Sequence, residues 1–147
     1  MRETLFNWLG QTLYGKRCLD LFAGSGALGF EAASREAAQV VMVESNRAVY
    51  KALQDNVLTL RLSNVALQCT DGLKFASQEN VAFDVIFLDP PFQSDYLPQL
   101  LPKLASRLTA DGVIYVESGS AFDAGAEWVV LKQGKAGAVH HQLIRRA

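Results

Sequence analysis

The sequence predicts an α/β fold: a doubly wound, mostly parallel seven-stranded sheet that ends in an antiparallel C-terminal hairpin. Two observations carry this. Five short apolar runs alternate with helical patterns, the rhythm of parallel strands joined by crossover helices. After residue 126 that rhythm gives way to two β-like segments around Gly134-Lys135-Ala136-Gly137. The chain has 147 residues and no repeat, linker or low-complexity stretch, so residues 1–147 are expected to form a single domain.

Each element has its own signal. Residues 2–13 place Leu5, Trp8, Leu9 and Leu13 at helical spacing, which predicts an amphipathic helix packed on the sheet and closed by Gly15. Residues 18–23 form an apolar run, hence a buried strand, and a turn of small residues leads into a helical pattern over 27–35. A second strand, 40–44, ends in Glu44, and Asn46 is placed to cap a helix that runs to residue 60. Residues 65–69 form the third strand, after which Asp71 is a candidate cap for a short helix through Phe75. The fourth strand, 83–88, is the most apolar run and stops at Asp89-Pro90-Pro91-Phe92, because two prolines end pairing and hold an extended loop. A helix over 95–108 follows, with Tyr96, Leu97, Leu100, Leu101, Leu104 and Leu108 as its apolar face and Pro98 in its first turn. Asp111-Gly112 is expected to turn the chain into a fifth strand at 113–117, and segments 127–133 and 138–145 make the hairpin.

Composition narrows the function classes. Half the residues are apolar, enough for a full core. No apolar run approaches the ~20 residues of a membrane span, and the N-terminus lacks the basic start and apolar stretch of a signal peptide, so a cytoplasmic protein is expected. Fourteen Lys and Arg against fifteen Asp and Glu leave a net charge of −1, which argues against a broad electropositive surface; any nucleic-acid contact has to be local. Cys18 and Cys69 lie far apart on apolar segments without Cys-x-x-Cys spacing and are expected to be buried free thiols, and no metal is implied. His140 and His141 adjoin on a strand, so one faces inward as a structural residue, and Arg145-Arg146 reads as a solvated terminus.

The turn after the first strand is where a ligand is expected. Gly24 and Gly26 let the backbone take positive φ and approach a bound molecule, while the following helix offers free N–H groups. The spacing through Gly29 fits the dinucleotide fingerprint, and Glu44, 24 residues after Asp20, stands where a ribose-binding acid is expected. Asp20 separates the candidate ligands. Beside a pyrophosphate it would set two anions together, whereas S-adenosylmethionine carries a cationic sulfonium and an amino group and no phosphate. Asp20, Glu44, Asp71 and Asp89 all stand at or just after strand ends, the edge at which such sheets collect ligands.

Asp89-Pro90-Pro91-Phe92 suggests what is done there. An exocyclic amine on a base is a poor nucleophile because its lone pair is delocalised into the ring, so it has to be pyramidalised and aimed. The Asp89 carboxylate and the Pro90 carbonyl can accept its two N–H groups, and Phe92 offers a face for the base to stack on. With these motifs the sequence resembles the class I adenosylmethionine-dependent methyltransferases over nearly the whole chain. The Asp-Pro-Pro-Phe loop, Arg2-Glu3-Thr4-Leu5-Phe6-Asn7-Trp8-Leu9, and the stretch from Leu19 through Asp20-Leu21-Phe22-Ala23-Gly24-Ser25-Gly26 to Gly29 are similar to the RsmD family of 16S ribosomal RNA guanine-N2 methyltransferases. The resemblance implies a Rossmann-like class I fold and cofactor-binding roles for Asp20, Phe22, Ala23, Gly24, Ser25, Gly26, Glu44, Ser45, Asp71 and Gly72, with Asp71 near the adenine amine. It implies catalytic roles for Asp89, Pro90, Pro91 and Phe92. It further implies an exposed guanine of the small ribosomal subunit or a late assembly particle as substrate, and the chain is expected to act as a monomer. Family members carry a basic segment before Arg-Glu-Thr-Leu-Phe, to which the resemblance assigns phosphate contacts.

Other readings stay open on the residues alone. The loop chemistry equally suits adenine N6 in nucleic acid or a protein glutamine. A nicotinamide-linked oxidoreductase would leave Asp-Pro-Pro-Phe unexplained, and a non-catalytic RNA-binding module would retain no cofactor.

Overall fold

The computed structural model describes residues 2–78, 82–91, 96–120 and 122–147. In chain order the elements are α1 (Arg2–Leu9), β1 (Arg17–Asp20), α2 (Ala27–Ser34), β2 (Gln39–Glu44), α3 (Arg47–Leu60), β3 (Val65–Cys69), α4 (Gly72–Ser77), β4 (Phe83–Leu88), α5 (Tyr96–Leu104), β5 (Leu108–Ser118), β6 (Trp128–Ala136) and β7 (Val139–Arg146). The strands form a seven-stranded sheet in the order β3-β2-β1-β4-β5-β7-β6, parallel from β3 to β5 and antiparallel where β7 joins β5 and β6. The chain winds outward from β1 to β3 and then crosses back to place β4 on the other side of β1, so the winding reverses between β1 and β4. A ligand crevice belongs above that reversal.

Side-chain alternation divides the core into two layers. Leu19, Val43, Ile86, Leu88, Ile114 and Val116 face one way, against α5 through Leu97, Leu100, Leu101 and Leu104. Cys18, Val40, Met42, Val85, Phe87 and Tyr115 face the other way, against Leu5 and Phe6 of α1, Ala32 and Ala33 of α2, and Leu53 of α3. By this parity Asp20 and Glu44 belong to the second face, as do the two positions that follow Phe87 and Tyr115 at a spacing of two, Asp89 and Glu117.

Several sequence expectations hold to the residue, including β3, β4 and the Asn46 cap, whose Oδ1 accepts from Val49 N at 3.0 Å. Others are corrected. The first helix stops at Leu9 rather than residue 13, because Gly10 takes φ +104° and turns the chain; Leu13 is still buried, beyond the helix. Asp111-Gly112 does not turn the chain but lies within β5, with a register irregularity opposite β4 between Phe83 and Val85. The hairpin turn is the two-residue Gly137-Ala138, with Gly137 at φ +60°, and Gly134 lies inside β6 opposite His141. Asp71 stands at the N-cap position of α4 but its side chain makes no capping hydrogen bond. Cys69 is exposed, since it ends the edge strand β3, while Cys18 is buried and its thiol is pushed up to about 12, chiefly by desolvation.

His141 is buried as expected for one of the pair, but Arg146 is not simply solvated. Its guanidinium donates to the carbonyls of Ala105, Leu108 and Thr109 and ties the last strand to the start of β5. Arg107 serves α4 in the same way, donating to the carbonyls of Phe75, Ala76 and Gln78. Among the described residues, no helix is long and apolar enough to cross a membrane.

Gly26 is required by packing. It has φ +86°, and a Cβ there would lie 2.4 Å from the Phe30 ring and 2.8 Å from Leu53. Gly26→Ala is expected to lose about 1–3 kcal/mol of stability, measured by urea denaturation, because the strained backbone and the crowding act together.

Candidate active site

A cavity of about 500 Å³ opens at the carboxyl ends of β1, β2 and β4, above the point where the winding reverses. Asp20, Phe22, Ala23, Gly24 and Ser25 line it from the first strand and its turn, Glu44 and Ser45 from the end of β2, Gly72 from α4, and Asp89, Pro90 and Pro91 from the loop after β4. Leu21, Ala27, Leu28 and Val43 complete the wall. Of the sequence-predicted set, Gly26 and Asp71 are not part of this lining, and Phe92 lies outside the described residues.

The glycine turn is held by backbone hydrogen bonds. Ala23 N donates to Val43 O at 2.9 Å, and Gly26 N donates to Ala23 O at 2.8 Å. Gly24, at φ +54°, has open space where a Cβ would be, so a ligand can approach the main chain there. The Glu44 carboxylate is fixed from two sides: Oε1 accepts from Gly24 N and Oε2 from Asn46 N, each at 2.9 Å. This leaves further lone pairs on both oxygens for hydroxyl donors. Phe22 stacks on Tyr96 with ring centroids 5.5 Å apart, and a Cβ on Gly72 would meet the Phe22 ring at 2.9 Å. The ring is thus seated between α5 and the start of α4.

The family described as "Conserved hypothetical protein 95" matches residues 1–145. The chain is 37% identical to the ribosomal RNA small subunit methyltransferase D of Escherichia coli K12, over 99% of this chain and 76% of that protein. It is also 37% identical to the protein of the same name from Haemophilus influenzae, over 97% of this chain and 78% of the relative. The chain belongs to the RsmD family of ribosomal RNA methyltransferases. The solved structure of Escherichia coli yhhF superposes with a TM-score of 0.92 at 38% identity, covering 99% of this chain and 83% of that one. A ribosomal protein L11 methylase from Lactobacillus delbrueckii, at 22% identity, shares the class I methyltransferase fold with a TM-score of 0.83 over 99% of this chain and 77% of that one.

In this RsmD-family cavity two carboxyls, Asp20 and Asp89, are pushed above the usual carboxylate range. Asp20 is only 2% exposed, and its Oδ2 accepts from Gly29 N at 3.2 Å. Burial first, offset in part by the Gly29 hydrogen bond and reinforced by the negative Glu44, raises its carboxyl to about 7. Asp89 is raised to about 7 as well, by burial, then by the charge and hydrogen bond of Glu117, then by the charge of Asp20. Sign follows from linkage. Both groups bind more protons in the folded chain than in the unfolded one between about pH 4 and 7, so their contribution to stability declines as pH rises through that window.

Sequence reading missed Glu117 and Tyr115. The Tyr115 hydroxyl donates to Glu117 Oε1 at 2.7 Å, and the Glu117 carboxyl is among the causes that raise Asp89. The available signal was parity: Glu117 ends the fifth parallel strand on the same face as Asp20, Glu44 and Asp89. Among the described residues, no cluster of three or more His, Cys, Asp or Glu is disposed to hold a metal ion.

Proposed function

We propose that this RsmD-family chain transfers a methyl group from S-adenosylmethionine to the exocyclic N2 amine of a guanine in 16S ribosomal RNA, within the small subunit or a late assembly particle. It does so as a cytoplasmic monomer, with residues 1–147 acting as one domain. The observation that carries the reading is that one cavity is walled on one side by the glycine turn and Glu44 and on the other by Asp89 and the double-proline corner.

The residues present fit the cofactor. Asp20 and Asp89 place two carboxyls on the wall that a cationic sulfonium and amino group would draw into the ionised form, whereas a pyrophosphate would set anion against anion. Glu44, its two oxygens already oriented by backbone donors, is assigned the ribose hydroxyls, and Gly24 the close main-chain approach. Phe22, Ala23, Ser25, Ser45 and Gly72 line the nucleoside side, and Asp71 is assigned to the adenine amine from the end of β3. Gly26 supports the turn from beneath. When bound, the cofactor supplies an electrophilic methyl group.

The chain's own contribution is alignment. Asp89 and the Pro90 carbonyl accept the two N–H groups of the amine, which turns its lone pair out of conjugation and aims it. As positive charge develops on the nitrogen, these acceptors stabilise it more than they stabilise the neutral substrate. Pro90 is buried and Pro91 follows it, so the carbonyl has little freedom to move. Phe92 is assigned the stacking face for the base.

Glu44→Gln is expected to weaken cofactor binding by about tenfold in calorimetry, because the new amide group faces a backbone donor with another donor. The reading as a whole is tested by calorimetry with S-adenosylmethionine and NAD, followed by labelled-methyl transfer to three acceptors: small subunits lacking the modification, unmethylated adenine-containing DNA, and a glutamine peptide. Binding of the sulfonium compound and label in the small subunit support it. Preferential binding of NAD, or label in either other acceptor alone, overturns it.

A further inference from the structure

The loop after β4 is not the only source of polar groups beside the methyl-accepting position. β4 and β5 pair in parallel with Phe87 beside Tyr115 and Leu88 beside Val116, the last pair of the ladder, and Asp89 and Glu117 are the residues that follow it on the two segments. Both side chains then emerge on one face of the sheet, the face that carries Phe87 and Tyr115. Glu117 is held on its other side by the Tyr115 hydroxyl at 2.7 Å, and Tyr115 is 1% exposed, so the clamp cannot swing into solvent.

Resting on the functional reading above, we propose that Glu117 is a positioning residue for amine methylation: placed beside Asp89 by the β4–β5 register and gripped by Tyr115, it fixes the Asp89 carboxyl toward the amine and sets the pH at which Asp89 becomes an acceptor. Two neighbouring carboxyl groups in a shared hydrogen bond hold one proton between them, because like charges at that range are costly. The other titratable groups around the pair are Asp20 from β1, Tyr115 from β5 itself, and His141, which pairs opposite Glu117 from β7. The His141 ring lies 6.5 Å from Tyr115 and 5.4 Å from Trp8 of α1, and its Nδ1 is buried without a hydrogen-bond partner. Tyr115 is pushed above its ordinary range by burial and by its bond to Glu117, so it stays a donor throughout the working pH range.

The test compares the native chain with Glu117→Gln, which keeps the shape and removes the charge. Initial rates of labelled-methyl transfer to unmodified small subunits are measured from pH 5.5 to 9, beside a carboxyl-carbon NMR titration of Asp89 and calorimetric cofactor affinity. The acidic limb of kcat/KM and the Asp89 titration should both move down by about one pH unit or more, with cofactor affinity unchanged within twofold. A limb and a titration that stay where they are in a folded variant overturn the inference. Should Glu117→Gln fail to fold by thermal melting, Tyr115→Phe serves in its place, since it keeps both carboxyls and releases the clamp. It should lower kcat by about tenfold with the KM for cofactor unchanged, and an unaltered kcat overturns the inference. A native chain that methylates no small subunit overturns the functional reading, and the inference with it; an active native chain with an unmoved limb overturns the inference alone.

Discussion

Asp89→Ala is expected to reduce methyl transfer to small subunits by about 10²–10³-fold while S-adenosylmethionine affinity stays within a few-fold. The substitution removes the carboxyl assigned to the amine but leaves the glycine turn, the Glu44 carboxylate and its two backbone donors untouched. Asp89 follows β4, whereas the nucleoside side of the cavity is built from β1, β2 and α4, so the two functions rest on different elements. Calorimetry beside a labelled-methyl assay separates them. Undiminished turnover would remove Asp89 from the chemistry, and a parallel loss of affinity would make it a cofactor ligand instead.

The second large effect is expected at Asp20. Its carboxyl is buried and raised to about 7, chiefly by desolvation and despite the hydrogen bond it accepts from Gly29, so forming the anion in the free protein is unfavourable. A cationic ligand reverses that balance. Binding should therefore draw a proton off Asp20, and affinity should tighten as pH rises toward about 7 and level off above it. Asp20→Asn keeps the size and an acceptor for Gly29 but cannot ionise. It should weaken cofactor binding by about 10–100-fold and flatten the pH dependence, both read by calorimetry between pH 5.5 and 8.5. Native-like affinity with a retained slope would show that another group answers the positive charge.

The parallel part of the sheet was legible because strands announce themselves as apolar runs: the largely buried β4 and the only partly buried edge strand β3 both begin and end where their runs do. Features set by contacts between distant residues were not legible. Asp111-Gly112 has the composition of a turn, yet it lies within β5, with Gly112 against Phe83 and Leu108, where a Cβ would have 3.0 Å or less to the nearest atoms. Cys69 sits in an apolar run, but β3 is an edge strand and its end is open to solvent. The same division holds in the cavity. Glycine spacing located the turn, and strand-end acids located Asp20, Glu44 and Asp89 around it. Spacing could not say that Gly26 is also packed against Phe30 and Leu53, nor that Gly72 lines the wall while Asp71 does not. Glu117 escaped notice because its relation to Asp89 comes from the β4–β5 register, which exists only once the strands are paired.

The central claim is that the cavity delivers a methyl group to the N2 amine of a ribosomal guanine. Small subunits lacking the modification are incubated with the chain and labelled S-adenosylmethionine, and the 16S RNA is digested to nucleosides and resolved by mass spectrometry. The account predicts label in N2-methylguanosine. Label in N6-methyladenosine, or in ribosomal protein with none in the RNA, would contradict it.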